Sequence, residues 1–266
     1  MASNKSSLLW QITPANQPPS YLFGTMHIRD QRAFSHIEEL QTYIQQCPSF
    51  ATEVPFDQLD QHLFFHQLQL PPGTTLDQLV PSKRYQKMRA IILKATQVDI
   101  HTLRHLQPVL IVQLLSSQLL QSEWAVALDE ALWQFAEQQQ KQLLGLESLE
   151  SQITLLQRIP MEQQVKSLKE VAKNISTFRK GLLHAADTYQ SGDLRQIYRA
   201  AKRSTRGMRK KLLYNRNIQM AQQMADYMTE APIFCAVGAG HLAGAKGMLR
   251  LLKQKGFRVK AVSLSA

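Results

Sequence analysis

IFCAVGAGHLAGAKG, residues 233–247, decides how this chain folds. Its first half is a run of apolar, β-favouring residues. Two glycines follow, then His241, then a segment with helical character. A strand, turn and helix of this kind begins either a phosphate-binding loop or a turn that presents a histidine. GAGHLAG spells GxGxxxG, which gives the dinucleotide reading partial support. That reading also requires a second strand ending in an acid that binds the ribose. The next strand, FRVKAVSLSA, holds no acid and finishes the sequence at residue 266. The histidine reading gains support from the opposite end, where YLFGTMH, residues 21–27, repeats the order strand, glycine, two residues, histidine. Ligands of open α/β sheets bind beyond the carboxyl ends of strands. Adjacent strands would therefore bring His27 and His241 together, and the glycine before each would let the backbone turn sharply or pass close to a ligand.

Working outward, LLWQIT (8–13) and YLFGT (21–25), split by a Pro- and Asn-rich turn, predict a hairpin. Phe34, Ile37, Leu40, Ile44 and Cys47 recur at helical spacing and predict a helix over 33–46, stopped by Pro48. SFATEV (49–54) predicts a buried strand ending at Glu53 and closed by Pro55. Helical patterning then fills 57–140, with breaks at LPPGTT and near Pro108 and Ser122, before KQLLGLES (141–148) predicts a short strand running into a turn. Residues 148–229 are again mainly helical, with long segments over 160–189 and 208–229. The carboxyl end predicts the strand PIFCAVG, a helix over 242–255 stopped by Gly256, and the strand FRVKAVSL. The expected architecture is one α/β domain over 1–266, with α+β as its variant. Its central mixed sheet is built from the two chain ends, and the helical middle forms a cap.

At 266 residues and 44% hydrophobic content the chain can bury a full core. Cys47 and Cys235 form no CxxC or Cys/His cluster and are expected as small core residues. No apolar run approaches the roughly 18 residues of a membrane helix, and MASNKSSLLWQ lacks the apolar region of a signal peptide. The expectation is a cytoplasmic protein. A net charge of +11, from 31 basic and 20 acidic side chains, favours anionic partners. Much of it lies in RAAKRSTRGMRKK, residues 199–211. That segment lacks the aromatics that stack bases, and no helix-turn-helix or zinc finger accompanies it, so a solvated surface is expected rather than a nucleic-acid interface.

Glu53 and Glu147 each end an apolar run. A carboxylate in that position is paired, hydrogen-bonded or metal-bound, because burying a bare charge is costly. Two imidazoles with one or two carboxylates and no thiolate suit a divalent ion, leaving Mn²⁺, Co²⁺ and Zn²⁺ open. Plainer readings stand beside this one. Either histidine can serve as a cap or hydrogen-bonding residue, Glu147 can cap a helix starting near Ser148, and Glu53 can pair with an arginine. His62 and His66 are four apart, but HLFFH lacks the glutamate of HExxH and reads as surface or core.

The two GxxH turns, the acid closing the second main strand, GLES followed by Gln152, YQSGD (189–193), Arg216-Asn217 and the ending VGAGHLAGAKGMLRLLKQKGF together resemble the TraB/GumN family. Its superfamily contains the Tiki metalloproteases. The resemblance runs from about Leu8 to Val262 and is most specific at the two ends. It implies a metal-dependent, peptidase-like hydrolase acting on a peptide or another small amide or ester. By position it implies His27, His241 and Glu53 as metal ligands, with Glu53 and Glu147 dividing the roles of ligand and general base. It places Arg216 where it would bind a substrate carboxylate, orient Glu53 or Glu147, or stabilise an oxyanion. Asp129, in ALDEAL, falls where relatives often carry an Asp before a helix. Many members are exported or membrane-anchored; neither is expected of this chain. The competing expectation is a non-catalytic protein on the same fold whose two histidines hold haem or a metal. The acids favour the enzyme.

Overall fold

The computed structural model describes residues 7–15, 17–58, 61–120, 123–205, 208 and 210–264, without the side chains of residues 58, 61 and 62. In chain order its strands and α-helices are β1 (Leu9–Thr13), β2 (Ser20–Thr25), α1 (Ile37–Gln45), β3 (Ser49–Thr52), α2 (Gln61–Gln67), α3 (Ser82–Thr96), α4 (Pro108–Leu119), α5 (Leu128–Gln138), β4 (Gln142–Gly145), α6 (Leu149–Gln157), α7 (Met161–Lys173), α8 (Ile175–Gln190), α9 (Leu194–Ser204), α10 (Arg216–Glu230), β5 (Ile233–Gly238), α11 (Met248–Gln254) and β6 (Arg258–Val262).

The six strands form one sheet in the order β4-β3-β5-β2-β1-β6. Neighbours from β4 through β2 are parallel, while β1 runs antiparallel to both β2 and β6. The sheet is therefore mixed, and five of its strands come from the two ends of the chain, as the sequence predicts. Its central strands read SYLFGT, SFAT and IFCAVG and are buried almost throughout. Such continuous apolar runs belong to parallel strands covered on both faces. At the edge, β6 exposes Arg258 and Lys260, charges that discourage pairing with another chain.

The chain divides into two units. The first, Met1–Gln58, Ser122–Leu149 and Ala185–Ala266, contains the whole sheet. Phe50 stacks on Phe234 at 5.8 Å in its core, and α10 packs inward through Met220, Met224 and Met228. The second, Leu59–Gln121 and Glu150–His184, is helical and has its own core around Tyr85, Ile92, Ile111, Leu115 and Leu168. Both cysteines are buried and free. No helix among the described residues is long and apolar enough to cross a membrane.

Four helices depart from the sequence reading, each for a local reason. The segment predicted over 33–46 opens as a 3-10 turn, Gln31–Phe34, because the Asp30 side chain accepts from the Arg32 N–H, and α1 starts only at Ile37. Residues 160–189 break at Asn174, whose φ of −129° is not helical. Residues 208–229 contain a turn of π-helix, Lys210–Asn215, before α10. The helix predicted from 242 begins at Met248, since Gly244 adopts φ +100° and interrupts the turn. The break expected near Ser122, and Arg206, Gly207 and Arg209 of the basic segment, lie outside the described residues.

Candidate active site

Strand register puts the candidate residues on one edge. Thr25 pairs with Gly238, Thr52 with Ala236, and Thr52 with Gly145, so β2 and β5 end together, and β3 and β4 end together two residues short of them. Just beyond them, in sheet order, come Glu147, Glu53, His241 and His27. The two histidine turns touch: a Cβ on Gly24 would lie 2.7 Å from Leu242 Cδ1 and 2.9 Å from Ala239 Cα. Glycine at 24 is what allows that approach. Buried Tyr189, from the YQSGD motif, donates from its hydroxyl to the Gly24 carbonyl at 2.7 Å and fastens the first turn.

One guanidinium holds two of the acids. Arg216 donates through Nη2 to Glu53 Oε2 at 2.5 Å, and through Nε and Nη2 to Glu147 Oε2 at 2.8 and 2.6 Å. Arg216 is the first residue of α10, directly after the π turn, a backbone irregularity frequent at functional sites. Tyr227, further along α10, donates to the Gly145 carbonyl at 2.9 Å and ties the helix to the end of β4. Glu53 Oε1 accepts from the Gly238 N–H at 2.8 Å. Burial pushes the Glu53 carboxyl up, but the charges of His241 and Arg216 and the hydrogen bonds from Gly238 and Arg216 outweigh it, holding the pKa at about 2. Glu53 is therefore ionised at neutral pH.

His241 is buried. Its Nδ1 lies 2.5 Å from Asn217 Oδ1. The Asn217 amide donates to the Lys246 carbonyl at 2.6 Å, which fixes its oxygen toward the ring and places the imidazole proton on Nδ1. The lone pair of Nε2 then faces Glu53 Oε1 at 3.6 Å and Arg216 Nη1 at 3.5 Å. Burial lowers the His241 pKa, Glu53 opposes this, and Arg216 reinforces it. The neutral ring favoured in this way leaves the guanidinium as the main cation acting on Glu53 near pH 7.

His27 makes a second pair at the end of the adjacent strand. Its Nδ1 lies 2.8 and 2.9 Å from the two oxygens of Asp129, at the start of α5, and its side chain is 60% exposed. The hydrogen bond to Asp129 raises its pKa against the effect of desolvation, and the charges of Asp129, Glu53 and Glu130 add to the rise. Backbone bonds from Trp124 N to Arg29 O and from Leu128 N to Ile28 O hold α5 beside this turn.

Four of the residues singled out in the sequence, Glu53, Glu147, Arg216 and His241, thus form one contact network, and His27 joins Asp129 instead. Glu147 does not stand alone as a helix cap; it shares Arg216 with Glu53. The sequence reading missed Asn217 as a functional residue. Its signal was a polar side chain on the buried stripe of α10, in register with Met220, Met224 and Met228, and fully buried there. The side chain of His62 is outside the described set, and His66 is exposed.

Imidazole and carboxylate, the side-chain types at this end of the sheet, are ones that ligate divalent cations. Each imidazole commits Nδ1 to an outer oxygen, Asn217 or Asp129, as metal-binding histidines do, while Nε2 of His241 lies 3.5 Å from Arg216 Nη1. Among the described residues, however, no group of three or more His, Cys, Asp or Glu side chains is placed so that it could hold a metal ion.

The model of the TraB/PrgY/gumN family matches residues 8–261. Metalloprotease TIKI2 of Danio rerio is 25% identical across 96% of this chain and 61% of its own length. Metalloprotease TIKI1 of Homo sapiens is 25% identical across 97% and 62%. The Metalloprotease TIKI homolog of Nematostella vectensis is 21% identical across 97% and 68%. The chain spans about six-tenths of the length of the Danio rerio relatives it matches, 61% and 63%. No solved structure matches it.

Proposed function

Because this chain belongs to the TraB/PrgY/gumN family, we propose that it is a metal-dependent hydrolase cleaving peptide bonds, with His27, His241 and Glu53 as the ligands of Mn²⁺, Co²⁺ or Zn²⁺. One observation carries the reading: His241, its Nδ1 tied to Asn217, turns Nε2 toward ionised Glu53 and the Arg216 guanidinium at the mouth of the parallel strands. A divalent ion supplies Lewis acidity, bringing the pKa of a water toward neutrality and polarising a carbonyl oxygen. The protein supplies the rest. Asn217 fixes the His241 tautomer, and Asp129 does the same for His27. Arg216 orients Glu53 and Glu147. Its Nη1 has no carboxylate partner among the described residues and points toward His241, where it would donate to an oxyanion. Glu53, facing His241, is assigned as ligand. Glu147 is left as the general base that takes the proton of the attacking water and hands it to the leaving amine.

The test begins with metal analysis of protein purified without a metal-binding tag, followed by titration of chelator-stripped protein with Mn²⁺, Co²⁺ and Zn²⁺. His241→Ala is expected to lose affinity at least tenfold; unchanged stoichiometry and affinity would remove His241 from the site. Peptide cleavage, followed by mass spectrometry, is expected to require the added ion and to vanish in Glu147→Gln. Metal binding with no turnover of any peptide would leave a carrier in place of an enzyme.

A further inference from the structure

Helix α9 carries a line of three arginines, Arg195, Arg199 and Arg203. Recurring every fourth residue, they share one face and step along the axis by about 6 Å. All three are exposed. Among the described residues none makes an ion pair within 4 Å, and no acid stands three or four positions from any of them; the nearest in sequence is Asp193, on which the Arg195 charge acts. Like charges at that spacing destabilise a helix. The opposite face holds α9 in place: Leu194 is buried, a Cβ on Gly240 would lie 2.8 Å from Ala201 Cβ, and the Tyr198 ring covers Gly244 so closely that a Cβ there would meet it at 2.3 Å. The contacts at Gly240 and Gly244 belong to the turn that carries His241. The arginine stripe thus runs along the helix that backs the candidate active site.

We propose that this stripe binds an extended acidic segment of the peptide substrate, with carboxylates at alternate positions. The identification of the occupant as a substrate rests on the peptidase reading above. In an extended chain, alternate side chains share a face at about 6.5 Å spacing, close to the step of the arginines. Guanidinium groups pair with carboxylates through two parallel N–H bonds, which sets register as well as attraction. A phosphate backbone has a comparable repeat, but a nucleic-acid groove also needs aromatic platforms. Tyr198 is turned onto Gly244 with Lys202 5.4 Å from its centroid, and its hydroxyl meets that of Tyr214 at 3.5 Å, so neither presents a ring face beside the arginines on which bases are shown to stack. A peptide fits the surface better.

The experiment measures fluorescence anisotropy of a labelled peptide of alternating glutamate and glycine, with wild type and an Arg195→Gln/Arg199→Gln/Arg203→Gln variant whose thermal unfolding is checked first. Wild type is expected to bind about tenfold more tightly than the variant at low salt, the gap closing as salt rises. A glutamine-glycine peptide is expected not to bind. Cleavage of a neutral peptide should be equal in both proteins, and that of an acidic one about tenfold less efficient in the variant. Equal affinity of both proteins for the acidic probe overturns the proposal, as does an oligothymidylate that outcompetes it on wild type but not on the variant. The binding arm requires no turnover, so a wild type that cleaves no peptide defeats the peptidase reading separately.

Discussion

At the scale of single residues the site depends on Asn217, which need not touch substrate, and on Arg216. Asn217 holds His241 by its Nδ1 and is itself held by the Lys246 carbonyl. Asn217→Ala is expected to weaken metal binding by about 10- to 100-fold, read by calorimetric titration, and Asn217→Asp to recover most of it by restoring an acceptor. Arg216 stands between two carboxylates whose side chains are only 23% and 4% exposed. Arg216→Met leaves both without their cation and should cost about 3–5 kcal/mol in metal-free denaturant unfolding. The pH dependence has a defined sign. Folding lowers the Glu53 pKa from 4.5 to about 2, so its stabilising contribution is complete above pH 4.5 and disappears as the pH falls toward 2. The stability gap between wild type and Arg216→Met is therefore expected to narrow across that window, measured by unfolding at successive pH values; a gap independent of pH would contradict the assigned pairing.

At the scale of elements, the turns govern the geometry. The first histidine turn rests on the backbone of the second at Gly24, where Ala239 Cα cannot give way. Gly24→Ala should therefore destabilise the protein by about 1–3 kcal/mol, seen as a lower denaturation midpoint, and should disturb metal affinity as well. The strands were legible because each is an apolar run bounded by turn residues, and the GxxH repeat marked where two of them end. Helix starts were not legible. Asp30 capping its own 3-10 turn and Tyr198 lying over Gly244 are side-chain choices that no periodicity encodes. The site was legible in its ligand candidates and opaque in their partners. Asp129 meets His27 across 102 residues and Arg216 meets Glu53 across 163, separations at which only the folded sheet specifies the contact. Asn217 was named only as half of the Arg216-Asn217 pair, and its contact with His241 was hidden because a single polar residue at the head of a methionine stripe reads as the polar end of a helix.

At the scale of the whole molecule, each unit has its own core, and every candidate site residue lies in the unit that holds the sheet. Leu168 is fully buried in the helical unit's own core, and Leu168→Ala should cost about 2–5 kcal/mol in unfolding experiments while leaving metal affinity unchanged; a parallel loss of affinity would show that the two properties are not separable. The sheet of the other unit joins residues that are synthesised far apart in time. Ser20 accepts a hydrogen bond from Ile233, 213 residues later, and Ser7 donates to Val262. Contacts of such sequence separation form slowly. A ribosome therefore releases the β1–β2 hairpin long before β5 and β6 exist, and His27 leaves it 214 residues ahead of His241. A chain cut between β2 and β5 would therefore lack not only His241 but also the strands that flank the hairpin on either side, β5 beside β2 and β6 beside β1.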